Sequence, residues 1–232
     1  RPLEMAWWGE GRIDTMLTFS PDTWRAMRDG GLKMVFLGAE SGSETTLERM
    51  DKGGRMSPEA TLELVELMRR WDIVPELSFV LGSPPDPDED AARTMEFIRR
   101  VKRANPATEI IMYLYTPVPL AGSLLDHASS QGFEFPETLE EWVSREWLDF
   151  AQRRSGRMSW IRPSLTERIR EFERVLNAYY PTTTMVSLTP VRRSVLRALS
   201  AWRYHSRIYR WPVELAAVHR LVSYQRPETT GF

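Results

Sequence analysis

The sequence predicts an α/β protein, in which a parallel sheet with helices between its strands is followed by a helical extension. Three observations predict it. Short apolar runs alternate with helical patterns over roughly the first half of the 232 residues, prolines at 117 and 119 then interrupt the alternation, and helical patterns follow. With 42% hydrophobic and 27% charged residues, the chain can form one large globular domain or a domain with an appendage.

Each predicted strand is a short apolar run that turn residues end. These runs cover residues 3–8, 34–37, 77–81 and 110–115. Apolar residues at helical spacing lie between them, at 21–29, 43–50, 57–71 and 87–104. Ser20-Pro21 and Ser57-Pro58 are start signals for two of these helices, because serine caps a helix and proline suits its first turn. Strand–helix alternation of this kind favours a parallel sheet.

The remainder of the chain divides by charge. Further helices are predicted at 124–131, 138–150 and 164–180. From residue 189 onward, eight arginines stand against two glutamates, a net charge of +6, so residues 1–188 carry a net charge of −7. We therefore predict three regions: 1–132 as the α/β domain, 133–188 as the helical extension, and 189–232 as a basic, aromatic helical tail.

Small and polar residues follow each predicted strand. Because ligands of parallel α/β sheets bind outside the carboxyl ends of the strands, these turns are candidate ligand contacts. Arg12 can clamp a carboxylate, and Glu40 can accept hydrogen bonds from ribose hydroxyls or an amino group. Ordinary strand-to-helix turns are also rich in glycine and serine, so the residues alone leave both interpretations equal. The candidates in these turns are Arg12, Glu40, Ser41, Gly82, Tyr115 and Thr116.

Four segments, taken in order, resemble a known family. They are WWGEGRID, GAESGSETTLERMDKGG, ELSFVLGSPPDPDEDAARTMEFI and YLYTPVPLAGSLLDHA. Together they resemble the later strands of a radical S-adenosylmethionine (radical SAM) domain over residues 3–130, and their succession is more specific than any one of them. The likeness is strongest to members that carry an N-terminal cobalamin-binding domain, and the arginine-rich end also resembles tails found among them.

The resemblance implies a fold, a reaction and a set of contacts. The fold would be the carboxyl-terminal part of a partial (β/α) TIM-like barrel of parallel strands. The reaction would be radical-mediated modification of an unactivated carbon, such as methylation or ring formation. The substrate would be a small molecule, and a lipid-like one is favoured if the basic tail reaches a membrane. By resemblance Arg12 and Glu40-Ser41 contact the methionine and ribose of S-adenosylmethionine, while Val80 to Gly82 and Tyr115-Thr116 line its adenine.

The chain also departs from that family. It contains no cysteine, so the three-cysteine loop that binds the [4Fe-4S] cluster has no counterpart here. The first strands and the cobalamin domain have none either, and Pro85-Asp86-Pro87-Asp88 replaces the usual Pro-Gly-Glu-Thr. We expect a piece of a longer enzyme that is inactive alone, with cluster and cobalamin bound outside it. The alternative is a non-catalytic half-barrel module that binds a nucleotide-like ligand or a protein partner.

Other conspicuous residues have structural interpretations that we favour. Lys52 suits a helix C-terminus more than a phosphate site. The acidic residues of 86–90 are predicted to cap a helix rather than bind a metal, and no metal ligand is assigned. Trp7 and Trp8 are expected in the core. We expect the remaining conspicuous tryptophans to pack helices or to line a substrate opening: Trp142, Trp147 and Trp160.

The basic tail has two interpretations of equal weight. Arginines alternate with aliphatic and aromatic residues, which is the composition of an amphipathic helix at an anionic membrane surface, here through 189–226. The tail could instead fold back on the acidic barrel, and nucleic acid is disfavoured. No apolar run is long enough to span a bilayer and no signal-peptide pattern opens the chain, so we expect a cytoplasmic protein, with the inner face of the membrane as the alternative.

Overall fold

The structure is a computed structural model that describes residues 5–50, 56–119, 122–151, 161–182, 188–222 and 224. Among these residues the strands are β1 (Trp7–Gly11), β2 (Leu32–Glu40), β3 (Val74–Leu81) and β4 (Glu109–Leu114). The helices that alternate with them are α1 (Ile13–Met16), α2 (Pro21–Asp29), α3 (Glu44–Arg49), α4 (Pro58–Arg70) and α5 (Pro87–Ala104). The later helices are α6 (Ser123–Ser130), α7 (Leu139–Trp142), α8 (Arg145–Ala151), α9 (Pro163–Tyr179), α10 (Pro190–Ser206) and α11 (Val213–Leu221).

The strands form one parallel sheet in the order β1-β2-β3-β4. Gly11 of β1 pairs with Leu37 of β2, and Gly38 of β2 pairs with Ser78 of β3. Helices connect successive strands, as parallel pairing requires. The predicted fold class is confirmed: an α/β arrangement consistent with a partial β/α barrel, followed by a helical extension.

Serine caps explain where several helices begin. Ser20 Oγ accepts a hydrogen bond from the N–H of Thr23 at the start of α2, and Ser57 Oγ accepts one from Ala60 at the start of α4. In both helices proline occupies the first turn, where a missing N–H does no harm. The start signals predicted from the sequence are therefore used as expected.

The first strand lies later in the chain than predicted. Residues 3 and 4 of the prediction lie outside the described residues, and β1 continues through the predicted turn residues Gly9 and Glu10. Pairing with the long neighbouring strand β2 stabilises this extended conformation, although glycine alone does not favour it. Trp7 and Trp8 are 39% and 47% exposed, so the prediction that both lie in the core was wrong. The reason is that β1 pairs with β2 on one side only among the described residues.

The chain divides into two compact units. The first unit comprises Arg1–Leu81 and Ala92–Met112, and the second comprises Gly82–Ala91 and Tyr113–Phe232. In the first, α1 and α2 pack on β2, and α4 packs on β3. In the second, α9 packs against α10 and α11. The predicted three-part division at 132 and 188 stays a prediction.

Aromatic side chains form a cluster around α7 and α8 in the second unit. Trp142 stacks on Phe135 with 5.9 Å between ring centroids, and Trp147 lies edge-on to Trp142 at 4.9 Å. Phe133 and Phe150 contact Trp147 as well. Trp142 and Trp147 therefore pack the helices, one of the two roles expected of them, while Trp160 lies outside the described residues.

Candidate functional site

The carboxyl ends of the first three strands carry four of the predicted contact residues in the first unit. Because β1, β2 and β3 are parallel, their carboxyl ends lie at the same edge of the sheet. Arg12 directly follows β1, Glu40 is the last residue of β2, Ser41 follows it, and Val80 is the penultimate residue of β3. The structure thus brings these four residues to one sheet edge.

Glu40 has a strained backbone at this edge. Its φ is +62°, in the region that residues with a Cβ rarely occupy. The N–H of Ser41 donates to the carbonyl of Ala39 at 2.8 Å, so these three residues form the γ-turn with positive φ, which is the rare and strained form. Such a conformation costs about 1–3 kcal/mol and occurs preferentially at ligand-binding and catalytic sites.

The strand register changes where this turn forms. Gly38 pairs with Ser78, but Glu40 pairs with Phe79, so β2 contains one extra residue there. The extra residue lets the side chain of Glu40 turn back toward Gly38, where a Cβ would lie against the carboxylate. Glycine at 38 therefore provides the space that the Glu40 carboxylate occupies. Bulges of this kind re-aim side chains beside functional sites.

Ser41 stabilises the turn through hydrogen bonds of its buried side chain. It is 1% exposed, its hydroxyl lies 3.2 Å from that of Thr94 on α5, and it accepts a hydrogen bond from the N–H of Ser43. The N–H of Gly42 donates to Thr94 Oγ1 at 3.1 Å, and a Cβ at Gly42 would collide with Phe97. Ser41 is thus placed to position the turn, and Thr94 is a supporting residue that the sequence analysis missed.

Arg12 is already engaged by a carboxylate. Its Nε and Nη2 donate to the two oxygens of Asp14 at 3.1 and 2.9 Å. This hydrogen-bonded pair holds the pKa of Asp14 below its usual value. The guanidinium remains largely exposed, at 68% of its side chain. A ligand carboxylate would bind Arg12 through Nη1 or would compete with Asp14.

A polar face on β3 was not identified from the sequence. Side chains alternate along a strand, so Glu76, Ser78 and Val80 share one face. Glu76 and Ser78 are 4% and 6% exposed, and Trp8 Nε1 donates to Glu76 Oε2 at 2.9 Å. Val80, at the carboxyl end of the row, is half-buried. The polar and apolar alternation of ELSFVL was the signal that could have found this face.

The turn after β3 belongs to the second unit and is held by Asp90. The Asp90 carboxylate accepts hydrogen bonds from the N–H groups of Gly82 and Ser83, both at 3.0 Å. Gly82 has a φ of +82° and is buried. Its backbone N–H is therefore used to shape the turn, and its predicted contact with adenine stays a prediction.

The other acidic residues near Asp90 also serve the helix that they open. Asp86 Oδ1 accepts a hydrogen bond from the N–H of Glu89, and Asp88 pairs with Arg162 and Arg168 of the second unit. Among the described residues no group of three acidic, histidine or cysteine side chains could hold a metal ion. Helix capping, the interpretation favoured from the sequence, accounts for Asp86.

Tyr115 and Thr116 follow β4 in the second unit. Tyr115 is 6% exposed, and burial raises the pKa of its phenol to about 12, so it remains a neutral hydrogen-bonding group at physiological pH. Thr116 is half-buried, and its hydroxyl lies 3.4 Å from the carbonyl of Leu114. The contact of Tyr115 and Thr116 with adenine stays a prediction. Lys52, which was expected to suit a helix C-terminus, lies outside the described residues.

A cleft of about 570 Å³ lies within the second unit, between α9 and the start of α11. Arg170 and Arg174 line one wall, and Trp211 and Pro212 line the other. The Nε of Arg174 is buried and has no hydrogen-bond partner among the described residues. No function of this cleft was predicted from the sequence.

Comparison with known proteins finds relatives that match less than half of this chain. Over 99 residues, 43% of this chain and 20% of the relative, the chain is 27% identical to an uncharacterized methyltransferase of Pyrococcus horikoshii. Over 87 residues, 38% of this chain and 16% of the relative, it is 24% identical to an uncharacterized protein of Methanocaldococcus jannaschii. The chain thus spans about a fifth or less of the length of these curated relatives. No protein-family model matches it. The findings support a generic, methyltransferase-like relationship.

Proposed function

We propose that this chain is the S-adenosylmethionine-binding carboxyl-terminal part of a longer methyltransferase, and that the whole enzyme uses radical SAM chemistry. The methyltransferase relative supports the first statement, and the resemblance of four ordered segments supports the second. The observation that carries the assignment of the site is the strained turn at Glu40, at the edge where parallel sheets bind ligands.

In this proposal the strand ends of the first unit each have a task. Arg12 binds the methionine carboxylate, because a guanidinium matches that group in shape and charge. Glu40 accepts hydrogen bonds from the ribose hydroxyls. Ser41 and Thr94 keep the turn in its strained shape, so the Glu40 carboxylate is already oriented before the ligand arrives. Val80, half-buried on β3, provides an apolar surface for the adenine.

The iron–sulfur cluster of the radical SAM family does not fit this chain. Cluster ligands are cysteine thiolates, and the sequence contains no cysteine. A cluster and a cobalamin would therefore be bound by parts of the enzyme outside these 232 residues. The task of this chain's own residues is to bind and orient the nucleoside and the methionine.

Calorimetric titration of the full chain with S-adenosylmethionine tests the proposal. Glu40→Ala and Arg12→Ala should each weaken binding by about tenfold or more, as expected for the loss of a charged hydrogen bond. Glu48→Ala on α3 and Arg25→Ala on α2 are matched controls, because both residues are exposed in the same unit, and they should bind like the wild type. No binding heat, or unchanged affinity in the Glu40 variant, would overturn the proposal.

A second titration with ADP distinguishes the remaining alternative. A site built for a sulfonium nucleoside with a methionine tail should prefer S-adenosylmethionine to ADP. Equal affinity for both ligands would contradict the methyltransferase assignment and favour a general nucleotide-binding module.

A further inference from the structure

Helix α10 has two different faces. One side contains Leu196, Ser200, Arg203 and Tyr204, all buried, and the helix packs on α9 of the same unit. Tyr204 stacks on Tyr179 of α9, with ring centroids 4.4 Å apart and nearly parallel planes. This side of α10 is a normal core-facing surface.

The opposite side of α10 is apolar and exposed. Its residues are spaced four, four and three positions apart, which places them along one stripe of a helix. A surface helix normally presents polar residues there. On α10 this stripe instead consists of four apolar residues. Their exposed fractions are 72% for Val191, 51% for Val195, 41% for Leu199 and 51% for Trp202.

The segment that carries this stripe has charged side chains of one sign. Residues 189–213 contain six arginines and no aspartate or glutamate. Arg192 is exposed near the start of α10, and Arg207 and Arg210 are exposed just after its end. Two carboxylates that approach this segment are engaged by it: Glu214 binds Arg203, and Glu171 accepts a hydrogen bond from the N–H of Trp211.

We infer that the exposed face of α10, defined by Val191, Val195, Leu199 and Trp202, docks on the surface of an anionic phospholipid bilayer. The aliphatic side chains would enter the boundary between headgroups and acyl chains, where the indole of Trp202 is also favoured. The surrounding arginines would bind lipid phosphates, which supplies the charge complementarity. Within the described part of the chain no helix is long and apolar enough to cross a membrane. This inference does not rest on the proposed function.

Vesicle flotation with the full chain tests the inference. Vesicles with 30% phosphatidylglycerol in phosphatidylcholine should bind the protein, whereas pure phosphatidylcholine vesicles should bind it at least tenfold less. Arg192→Gln with Arg210→Gln should weaken binding to the anionic vesicles by about thirtyfold, since each arginine contributes about 1 kcal/mol near such a surface. Arg25→Gln with Arg145→Gln removes the same charge from exposed positions elsewhere and should bind like the wild type.

The apolar stripe is tested by a second matched pair. Val195→Glu with Leu199→Glu should abolish flotation. Leu139→Glu with Val143→Glu places the same two charges at the same spacing on residues that are 81% and 71% exposed, and it should leave flotation unchanged. Circular dichroism shows whether each variant is folded. If a glutamate variant is unfolded, the arginine variants provide an independent test.

Three results would overturn the inference. One is equal flotation of the wild type and the Val195/Leu199 variant. Another is equal binding to anionic and neutral vesicles. The third is evidence that the face has another partner, which is either single-stranded DNA that binds and prevents flotation or a second copy of the chain, seen in sedimentation as a dimer that the Val195/Leu199 variant dissociates.

Discussion

Two of the described turns that place residues with side chains in left-handed backbone conformations differ in what stabilises them. One is the turn after β2 in the first unit, centred on Glu40 with a φ of +62°. The other is the loop between α10 and α11 in the second unit, where Arg207 and Trp211 have φ values of +57° and +49°. Comparing them separates backbone strain inside a buried hydrogen-bond network from backbone strain at the sheet edge where parallel α/β proteins bind ligands.

In the α10–α11 loop, one buried cation explains the conformation. The guanidinium of Arg203 donates to the carbonyls of Ile208, Arg210 and Trp211 at 3.3, 2.9 and 3.1 Å. Its Nε and Nη2 also bind the carboxylate of Glu214, and this hydrogen bonding lowers the pKa of that carboxylate. All five N–H donors of the guanidinium are thus used. The strained backbone is held by an internal network.

At Glu40 the supporting groups hold the turn around the residue. Thr94 and Ser41 bind the backbone that follows, while the Glu40 carboxylate lies at a sheet edge beside the ends of two neighbouring strands. The comparison teaches that strain alone does not identify a site. Strain on a polar residue at the carboxyl edge of a parallel sheet is the kind that motivates the proposed site.

The largest expected effect concerns the α10–α11 loop, where Arg203 holds the strained backbone. Arg203→Ala removes every hydrogen bond of the guanidinium, so Glu214 and three backbone carbonyls lose their donor. The free energy of unfolding should therefore fall by about 3–5 kcal/mol. Urea denaturation followed by circular dichroism measures this. Arg220→Ala, on the exposed surface of α11, is the control and should change stability by less than about 0.5 kcal/mol. A small loss for Arg203→Ala would mean that the loop is held by other contacts.

A buried cation in the first unit extends the comparison. Lys102 Nζ donates to the carbonyls of Pro106 and Thr108, and burial lowers its pKa to about 8. Between pH 8 and about 10.5 the unfolded chain binds this proton more than the folded chain does, so the stability of the wild type should rise through that window, by about 3 kcal/mol. Lys102→Met should lack this rise. Urea denaturation at several pH values tests it, and parallel pH profiles in the two proteins would contradict it.

The turn after β3 provides an intermediate case. Asp90→Ala leaves the buried N–H groups of Gly82 and Ser83 without their carboxylate acceptor, and we expect a loss of about 2 kcal/mol in the free energy of unfolding. Glu89→Ala, an exposed neighbour, should have little effect. A neutral Asp90→Ala would show that water or another group satisfies these donors.

The smallest expected effect concerns the strained turn at Glu40. Glu40→Gly and Glu40→Ala both remove the carboxylate, but only glycine tolerates the positive φ without strain. We therefore expect the glycine variant to be more stable than the alanine variant by about 1 kcal/mol, while both lose affinity for S-adenosylmethionine. Thermal and urea unfolding measure the difference. If the alanine variant were the more stable one, the turn would not be strained as described.

Local patterns in the sequence predicted much of the fold. Helix starts at Ser20 and Ser57 and the alternation of strands and helices follow from capping and hydrophobic spacing, which are properties of neighbouring residues. The position of Glu40 at the end of β2 was predictable for the same reason. Its strain was not, because the extra residue in β2 appears only when that strand pairs with β3.

Other parts of the candidate site depend on contacts between distant residues. Thr94 supports a turn 52 residues earlier in the chain, through its hydrogen bond with Gly42. The exposure of Trp7 and Trp8 also depends on partners, since strand propensity does not say which strand lies at the edge of a sheet.

By itself the sequence determined the α/β class, the order of strands and helices, and the chemical groups at the strand ends, since each is written in local spacing and composition. Only the tertiary structure decided that Glu40 is held in a strained turn, that Glu76 is buried within reach of Trp8, and that one face of α10 is left apolar and exposed. The physical reason is that strain, burial and exposure are set by what a residue packs against, and those partners lie far away along the chain.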